Sequence, residues 1–330
     1  TFADATKESA LNTPDNGGSG TGYFETGDWD RDGRTDIIYL TGEGLLLYQL
    51  EDGTFEAGLV GKEGEQYPRG TAAFAEITKP GTPGAYVVMG DAKMVLQSDK
   101  DGFVEDVTRY GNEVQEPSQG LLSALAEDLN ADGHIDLYAG NAGGVAFYVT
   151  NRGYGSFMQD EKWKGGKIFP SAVYNAGARG LAAGDVTGDG ANEILVGGVN
   201  GKLTLLINET LTDRKPKAEV STVNDERKQI QTRMYTIRPT AKTGVIGAKL
   251  SLIDAQQRII ATRHIGNNTG VGCSGPLQTS LAVREPGTYT LRVRYGNGQT
   301  VTRKLVVKPT APRHQVVLVT GQRPNESLTP

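Results

Sequence analysis

The sequence predicts an all-β protein: a β-propeller with about four recognisable blades, followed by a C-terminal β-sandwich domain. Three observations carry this expectation. Glycine is abundant, at 45 of 330 residues, while aromatic residues make up only 7%, a balance that favours short strands joined by tight turns over helical packing. An acidic nine-residue stretch recurs about every 50 residues, each time ahead of a short apolar run. The charge also divides: residues 1–208 carry 15 Lys and Arg against 31 Asp and Glu, and residues 209–330 carry 19 against 8. A net charge of −5 therefore conceals an acidic half and a basic half, an asymmetry that argues for two domains and lets the basic half dock on an anionic partner or on its acidic neighbour.

At 330 residues and 37% hydrophobic content the chain is long enough to bury two cores. No apolar run approaches the roughly 20 residues needed to span a bilayer, so no membrane span is expected. The chain opens at Thr1 without a signal-like segment, and the expectation is that processing or truncation has removed what preceded it. Cys273 is the only cysteine, which excludes an internal disulfide and a Cys-based zinc site, and beside glycines it reads as a small packing residue. The three histidines, His134, His264 and His314, are too scattered in sequence to suggest a His-rich metal centre.

The repeat sets the order of elements in the acidic half. "DWDRDGRTD" at 28–36 precedes "IIYL", "DLNADGHID" at 128–136 precedes "LYAG", and "DVTGDGANE" at 185–193 precedes "ILVGG". Between the first two lies "EITKPGTPGAYVVMG", whose Glu76 stands at position one of a copy that has lost its other carboxylates. With position one at Asp28, Glu76, Asp128 and Asp185, the intervals are 48, 52 and 57 residues. A second element, "EDGTFEAG", "KDGFVEDVT" and "GYGSFMQD", follows position one by roughly 25 residues. Each unit thus reads as a strand leading in ("GYFETG", "LLSALAE"), the acidic loop, a buried strand, another such as "LLLYQL" or "VAFYVT", and a last strand around the G-x-F element. About four short strands per unit is the signature of a propeller blade. The opening "TFADAT" resembles the end of a repeat and is expected to complete the last blade and close the ring.

Asp at positions one and five, Asp or Asn at three, Gly at six and a carboxylate at nine let side-chain oxygens converge if the loop curls, with glycine supplying the unusual backbone angles. Such an oxygen cage suits Ca²⁺, which takes six to eight ligands at flexible geometry. An EF-hand is excluded, because its twelfth position needs a bidentate Glu and here holds Tyr39, Ala139 or Val196. Two other readings stay open: an ion-free Asx-turn cluster, against which carboxylate repulsion argues, and a pair of carboxylates doing glycosidic acid–base chemistry, against which the periodic recurrence argues.

The motif D-x-[DN]-x-DG-x-x-D before an apolar strand resembles the FG-GAP or VCBS repeat of integrin-α-like β-propellers, over roughly residues 1–208. The resemblance implies two or three Ca²⁺ ions, held by Asp28, Asp30, Asp32 and Asp36; by Asp128, Asn130, Asp132 and Asp136; and by Asp185, Thr187, Asp189 and Glu193. Arg34, His134 and Ala191 at position seven would give main-chain carbonyls, with the His134 ring a solvent-facing bystander. The last copy departs at Thr187 and Glu193, and the Glu76–Gly84 loop should be metal-free. Family rings usually have seven blades, which at this period needs about 350 residues. The four blades found here imply a small ring, a fragment, or part of a larger assembly.

Residues 212–238 read as a polar linker or edge, 239–310 as a basic β-sandwich and 311–330 as a tail. "GAKLSLIDAQQRIIATRHI" and "GTYTLRVRYGNGQTVTRKLVVK" alternate with period two, and Gly296-Asn297-Gly298 supplies a hairpin turn. Tyr289, Leu291, Val293 and Tyr295 share the core face. Arg292, Arg294, Arg303 and Lys304 make either a solvated face or a cationic surface for an acidic partner, and no nucleic-acid motif accompanies them. "GVIGAKLSL", "GNNTGVG" and "YTLRVRYGNGQTVT" resemble the ASPIC/UnbV domain that follows VCBS propellers, over about residues 240–308. Val316 to Val319 in the tail are expected to pair as an added strand, within the chain or on a neighbour. The N-x-[ST] triplets at Asn208, Asn267 and Asn325 are too short to establish glycosylation.

The expected function is that of a non-catalytic, calcium-stabilised binding, adhesion or scaffold protein outside the cytoplasm. Its expected partner is a protein or an anionic glycan, in an oligomer or a heteromeric complex. The alternative is a carbohydrate-active enzyme or lectin using the propeller face.

Overall fold

Short apolar runs bounded by glycine become strands in the computed structural model, which describes residues 23–40, 45–59, 71–89, 92–99, 104–107, 121–141, 147–153, 155–158, 178–198, 201–210, 232–241, 245–266, 268–270, 273–274 and 277–321. The fold is all-β: the described residues form strands and turns, with no helix among them.

The acidic half makes four successive antiparallel meanders. The first runs β1 (Tyr23–Gly27), β2 (Asp36–Leu40), β3 (Leu45–Gln49), β4 (Phe55–Leu59). The second runs β5 (Thr71–Phe74), β6 (Gly84–Met89), β7 (Ala92–Ser98), β8 (Val104–Asp106). The third runs β9 (Leu121–Glu127), β10 (Asp136–Asn141), β11 (Phe147–Asn151), β12 (Phe157–Met158), and the fourth has β13 (Ala178–Gly184), β14 (Glu193–Gly198) and β15 (Leu203–Leu206). Strand, acidic loop, strand, turn, strand is the order read from the sequence, and the G-x-F elements supply β4, β8 and β12.

These sheets stack face to face, which explains why their second strands read as unbroken apolar runs: both faces are covered. In β6, Ala85 and Val87 pack with Trp29, Ile38 and Leu46 of the first sheet's region. Tyr86 and Val88, on the other face, pack with Ala124, Leu137 and Val149 of the third sheet. Leu125, Tyr138 and Tyr148 of the third sheet meet Leu181, Ile194 and Val196 of the fourth. Lead strands touch in series, β1 with β5, β5 with β9 and β9 with β13. No comparably extensive contact returns from β13 to β1 among the described residues, and "TFADAT", expected to close the ring, lies outside them. Leu203 and Leu205 are exposed on β15, the last strand of the fourth sheet among the described residues.

The basic half forms a three-stranded sheet in the order β21 (Thr279–Val283), β16 (Arg233–Thr240), β24 (His314–Thr320), and a four-stranded sheet in the order β18 (Ile259–His264), β17 (Lys249–Ile253), β22 (Gly287–Arg294), β23 (Thr300–Val307). One apolar core draws on both: Tyr235 and Ile237 of β16, Leu281 of β21 and Val319 of β24 with Leu250, Leu252, Leu291, Val293 and Leu305. The face expected for Tyr289, Leu291, Val293 and Tyr295 is in this core, and the turn at 296–298 is closed by Tyr295 N–H to the Gln299 carbonyl at 2.8 Å. β16 begins at Arg233, inside the stretch expected to be linker, because its apolar residues find a core partner in the second sheet. Val316 to Val319 pair within the chain, parallel to β16. A short hairpin, β19 (Asn268–Gly270) with β20 (Cys273–Ser274), leaves this unit and lies against β5, β9 and β13.

Candidate functional site

All four loops share a left-handed glycine at position six, including the copy that lost its carboxylates. The position-six glycines Gly33, Gly81, Gly133 and Gly190 have φ of 91°, 83°, 93° and 95°, a region closed to most side chains. The position-one carboxylate caps the turn from inside. Asp28 accepts the Gly33 N–H at 3.0 Å, Asp128 that of Gly133 at 2.9 Å, and Glu76 that of Gly81. In the last copy Asp185 accepts from Gly188 at 2.7 Å. Position five accepts the N–H of position seven: Arg34 to Asp32 at 2.7 Å, His134 to Asp132 at 2.9 Å, Ala191 to Asp189 at 2.9 Å.

Position nine has a second duty that its sequence did not announce. Asp36, Asp136 and Glu193 are buried at the start of β2, β10 and β14, and each accepts the position-two N–H: Trp29 at 2.7 Å, Leu129 at 3.0 Å, Val186 at 2.7 Å. The other oxygen of Asp36 takes the N–H of Gln49 at 2.9 Å, and that of Asp136 the N–H of Asn151 at 2.8 Å. These carboxylates fasten the loop to the third strand of their own sheet. In the Glu76 copy, position nine is Gly84, where a Cβ would stand 2.6 Å from the Leu96 carbonyl; no side chain fits, and the backbone closes instead through Ala75 N–H to the Gly84 carbonyl at 2.9 Å. Burial pushes the Asp36 carboxyl up to about 7, with nearby Asp30 adding to the rise, and burial likewise raises Asp136, with Asp128 contributing.

The copies differ in how well they gather oxygens. Carboxylate oxygens of Asp28, Asp30 and Asp36 lie within 4.8 Å of one another. Three hard oxygen donors around one point, one of them buried and raised in pKa, fit a Ca²⁺ ion. Asp32, expected as a ligand, instead pairs with the side chain of Arg34, whose Nε also donates to the Gln49 carbonyl at 2.6 Å. Asp128, Asp132 and Asp136 do not converge in this way, and Asn130 accepts the Asp132 N–H at 2.9 Å. In the last copy the Thr187 hydroxyl donates to Glu193 at 3.4 Å. The His134 ring, expected to face solvent, is half-buried beside Gly153 and has its pKa lowered by that burial.

What covers the loops is the basic half of the same chain. Arg294 of β22 donates to the Asp32 carbonyl at 3.0 Å, and its guanidinium fills the space beside Gly33. Lys249 of β17 lies 2.9 Å from Glu76, with His264 of β18 at 3.8 Å. Arg263 of β18 pairs with Asp128 at 3.2 Å and Arg284 with Asp132 at 3.4 Å. His314 of β24 stands 3.7 Å from Asp185, which also accepts from the Thr236 hydroxyl at 3.3 Å. The loop glycines meet the same surface: a Cβ on Gly81 would touch Ile259, one on Gly133 the Ala282 carbonyl, one on Gly190 Met234. A small apolar cluster of Ala131, Met234 and Ala282 completes the contact.

Burial alone would raise the Glu76 carboxyl, but His264 and the Lys249 ammonium outweigh it and hold Glu76 down at about 2. Of these cations only Arg294 belongs to the set singled out from the sequence; Arg292, Arg303 and Lys304 face solvent. The one signal for the others was the opposed charge of the halves. At this junction lies a cleft of about 310 Å³, lined among others by Thr78, Lys79, His134, Arg258, Thr262 and Arg263.

Comparison with known proteins agrees with the repeat. No curated protein matches the chain. Among solved structures the chain is similar to an Agrocybe aegerita lectin that recognises non-reducing terminal N-acetylglucosamine, at 19% identity and a TM-score of 0.35, over 56% of this chain and 52% of that one. It is similar also to a lectin from Burkholderia pseudomallei, at 11% identity and a TM-score of 0.42 over 87% and 84%, and to BBS1N in complex with ARL6DN, at 12% identity and a TM-score of 0.33 over 88% and 83%. The aligned part is thus about half of the Agrocybe lectin. Residues 128–212, which hold the third and fourth acidic loops, match the family model of the FG-GAP-like repeat.

Proposed function

We propose that the chain is a non-catalytic, calcium-stabilised binding or scaffold protein working outside the cytoplasm, its four sheets blades of a β-propeller and its basic half a β-sandwich of ASPIC/UnbV type. The observation that carries the non-catalytic reading is the use made of the acidic loops. The position-one carboxylate caps a turn in every copy, and in the first and third copies the position-nine carboxylate ties the loop to the third strand, an architectural duty that leaves little room for acid–base cycling. Asp28, Asp30 and Asp36 would hold one ion, whose double charge would offset three carboxylates packed within 4.8 Å. Titrating calcium into chelated protein while following thermal unfolding tests this; an unchanged melting temperature sinks it.

A glycan-binding reading is supported by the cleft at the junction, where Lys79 and Arg258, whose exposed guanidinium also pairs with Asp254 at 2.7 Å, flank the polar groups of Thr78 and His134. Cations beside hydroxyl and imidazole groups suit an anionic sugar. Binding to anionic glycans on an array, lost in Lys79→Ala with Arg258→Ala, would favour the lectin form of this proposal. Stable co-purification with another chain and no glycan binding would favour the scaffold form.

A further inference from the structure

The third loop already holds a cation. Arg263 Nη2 lies 3.2 Å from Asp128 Oδ2, and the two side chains are 5% and 2% exposed. The guanidinium is steadied by Nη1 donating to the Thr262 carbonyl at 2.9 Å. A second arginine, Arg284, stands 3.4 Å from Asp132 at position five. Calcium would take these oxygens at about 2.3–2.6 Å, so ion and guanidinium contest the same lone pairs, and two cations so close repel strongly where water is excluded. The first loop is reached differently. Arg294 donates there to the Asp32 main-chain carbonyl at 3.0 Å and to no carboxylate of the convergent set Asp28, Asp30 and Asp36.

We infer that Arg263 is a tethered counter-ion that keeps metal out of the loop at 128–136, so that the chain takes one calcium ion where its motifs count two or three. The same arrangement serves the copy without a full ligand set, where Lys249 sits 2.9 Å from the position-one carboxylate Glu76. Protein cations thus neutralise position one in the middle two copies, and the first is the one that accepts a free ion. The count of one rests on the calcium reading of the first loop; the exclusion by Arg263 does not.

Calcium stoichiometry of the full chain, measured by equilibrium dialysis with elemental analysis, tests this. Wild type is expected to bind one ion, Arg263→Gln two, and Arg263→Lys, which keeps the charge, one. Asp128→Asn in the wild-type background is expected to leave the count unchanged, a measurement that does not depend on the Arg263 variants folding. Two or three ions in wild type, one of them lost in Asp128→Asn, would overturn the exclusion and leave the calcium reading standing. A folded Arg263→Gln protein that binds no more ions than wild type would also overturn it. No ion in either protein defeats both, whereas none in wild type and one in Arg263→Gln supports the exclusion and removes only the first-loop site.

Discussion

Lys249 Nζ lies 2.9 Å from Glu76 Oε1, joining the two charge-opposed halves at the one acidic loop that kept a single carboxylate. Glu76 is 5% exposed and its other oxygen accepts the Gly81 N–H. The pair therefore replaces solvation for a buried charge, and removing one partner leaves the other stranded.

Lys249→Met is expected to destabilise the protein by about 3 kcal/mol or more. Adding Glu76→Gln, which removes the stranded charge and keeps an acceptor for Gly81, should recover much of that loss. Denaturant unfolding of both singles and the double variant closes the cycle; purely additive losses would show that the pair is not coupled.

The same pair gives stability a defined pH dependence. Glu76 titrates at about 2 in the folded chain against an ordinary 4.5, so its contribution is complete above about pH 4.5 and is lost as pH falls toward 2. His264 acts in the same direction: burial lowers its pKa from 6.5, so the unfolded chain takes the proton first and acid below 6.5 favours unfolding. The share of stability due to Glu76 and His264 should be lost from about pH 6.5 downward, against the opposite contribution of Asp36 and Asp136, whose raised carboxyls favour the folded chain as pH falls. The difference between the wild-type and Glu76→Gln profiles should therefore open below about pH 4.5. A decline that is identical in the variant would show that the acid response comes from other groups.

Gly190 has φ of 95°, and a Cβ there would stand 2.6 Å from Met234 Cβ across the junction of the halves, whereas Gly53 has φ of 85° and open space around it. Gly53→Ala should cost about 1 kcal/mol for backbone strain alone. Gly190→Ala should cost that and about 1–3 kcal/mol more, because the junction must yield. Equal losses would mean that the halves are not packed together in solution.

Calcium at the first loop should raise the melting temperature in a saturable way, since an ion bound only by the folded chain contributes about 2.7 kcal/mol at a concentration 100 times its Kd. Asp30→Ala, which removes the oxygen donor, should abolish the rise. Asp189→Asn, in a loop outside the convergent set, should leave it intact, and a loss there would move the site to the fourth copy.

The repeat was legible because it is local. Nine residues fix each loop's curl, and the apolar run after it must be a strand buried on both faces, as Tyr86, Val87 and Val88 of β6 illustrate. The clamp made by Asp36 and Asp136 was not legible: the acceptor role of a position-nine carboxylate depends on where the N–H groups of Gln49 and Asn151 arrive, 13 and 15 residues later. Nor was the fate of Asp32, since an Arg two residues on can turn to it or away. The start of β16 at Arg233 was hidden by a charged stretch ahead of it, because burial of Met234 and Tyr235 needs partners far along the chain.

By itself the sequence determined the strand order of the acidic half, the turn geometry of its loops and the opposition of charge between the halves, because periodicity, glycine placement and net charge are properties of neighbouring residues. Only the tertiary structure decided where that charge goes. Arg263 and Asp128 stand 135 residues apart, and no spacing rule relates them; they meet because two sheets with their own cores place β18 against the loop that follows β9. Whether a carboxylate faces water, another carboxylate or an arginine is settled by such long-range contacts, and they divide four similar loops into one whose carboxylate oxygens converge and others met by the chain's own donors.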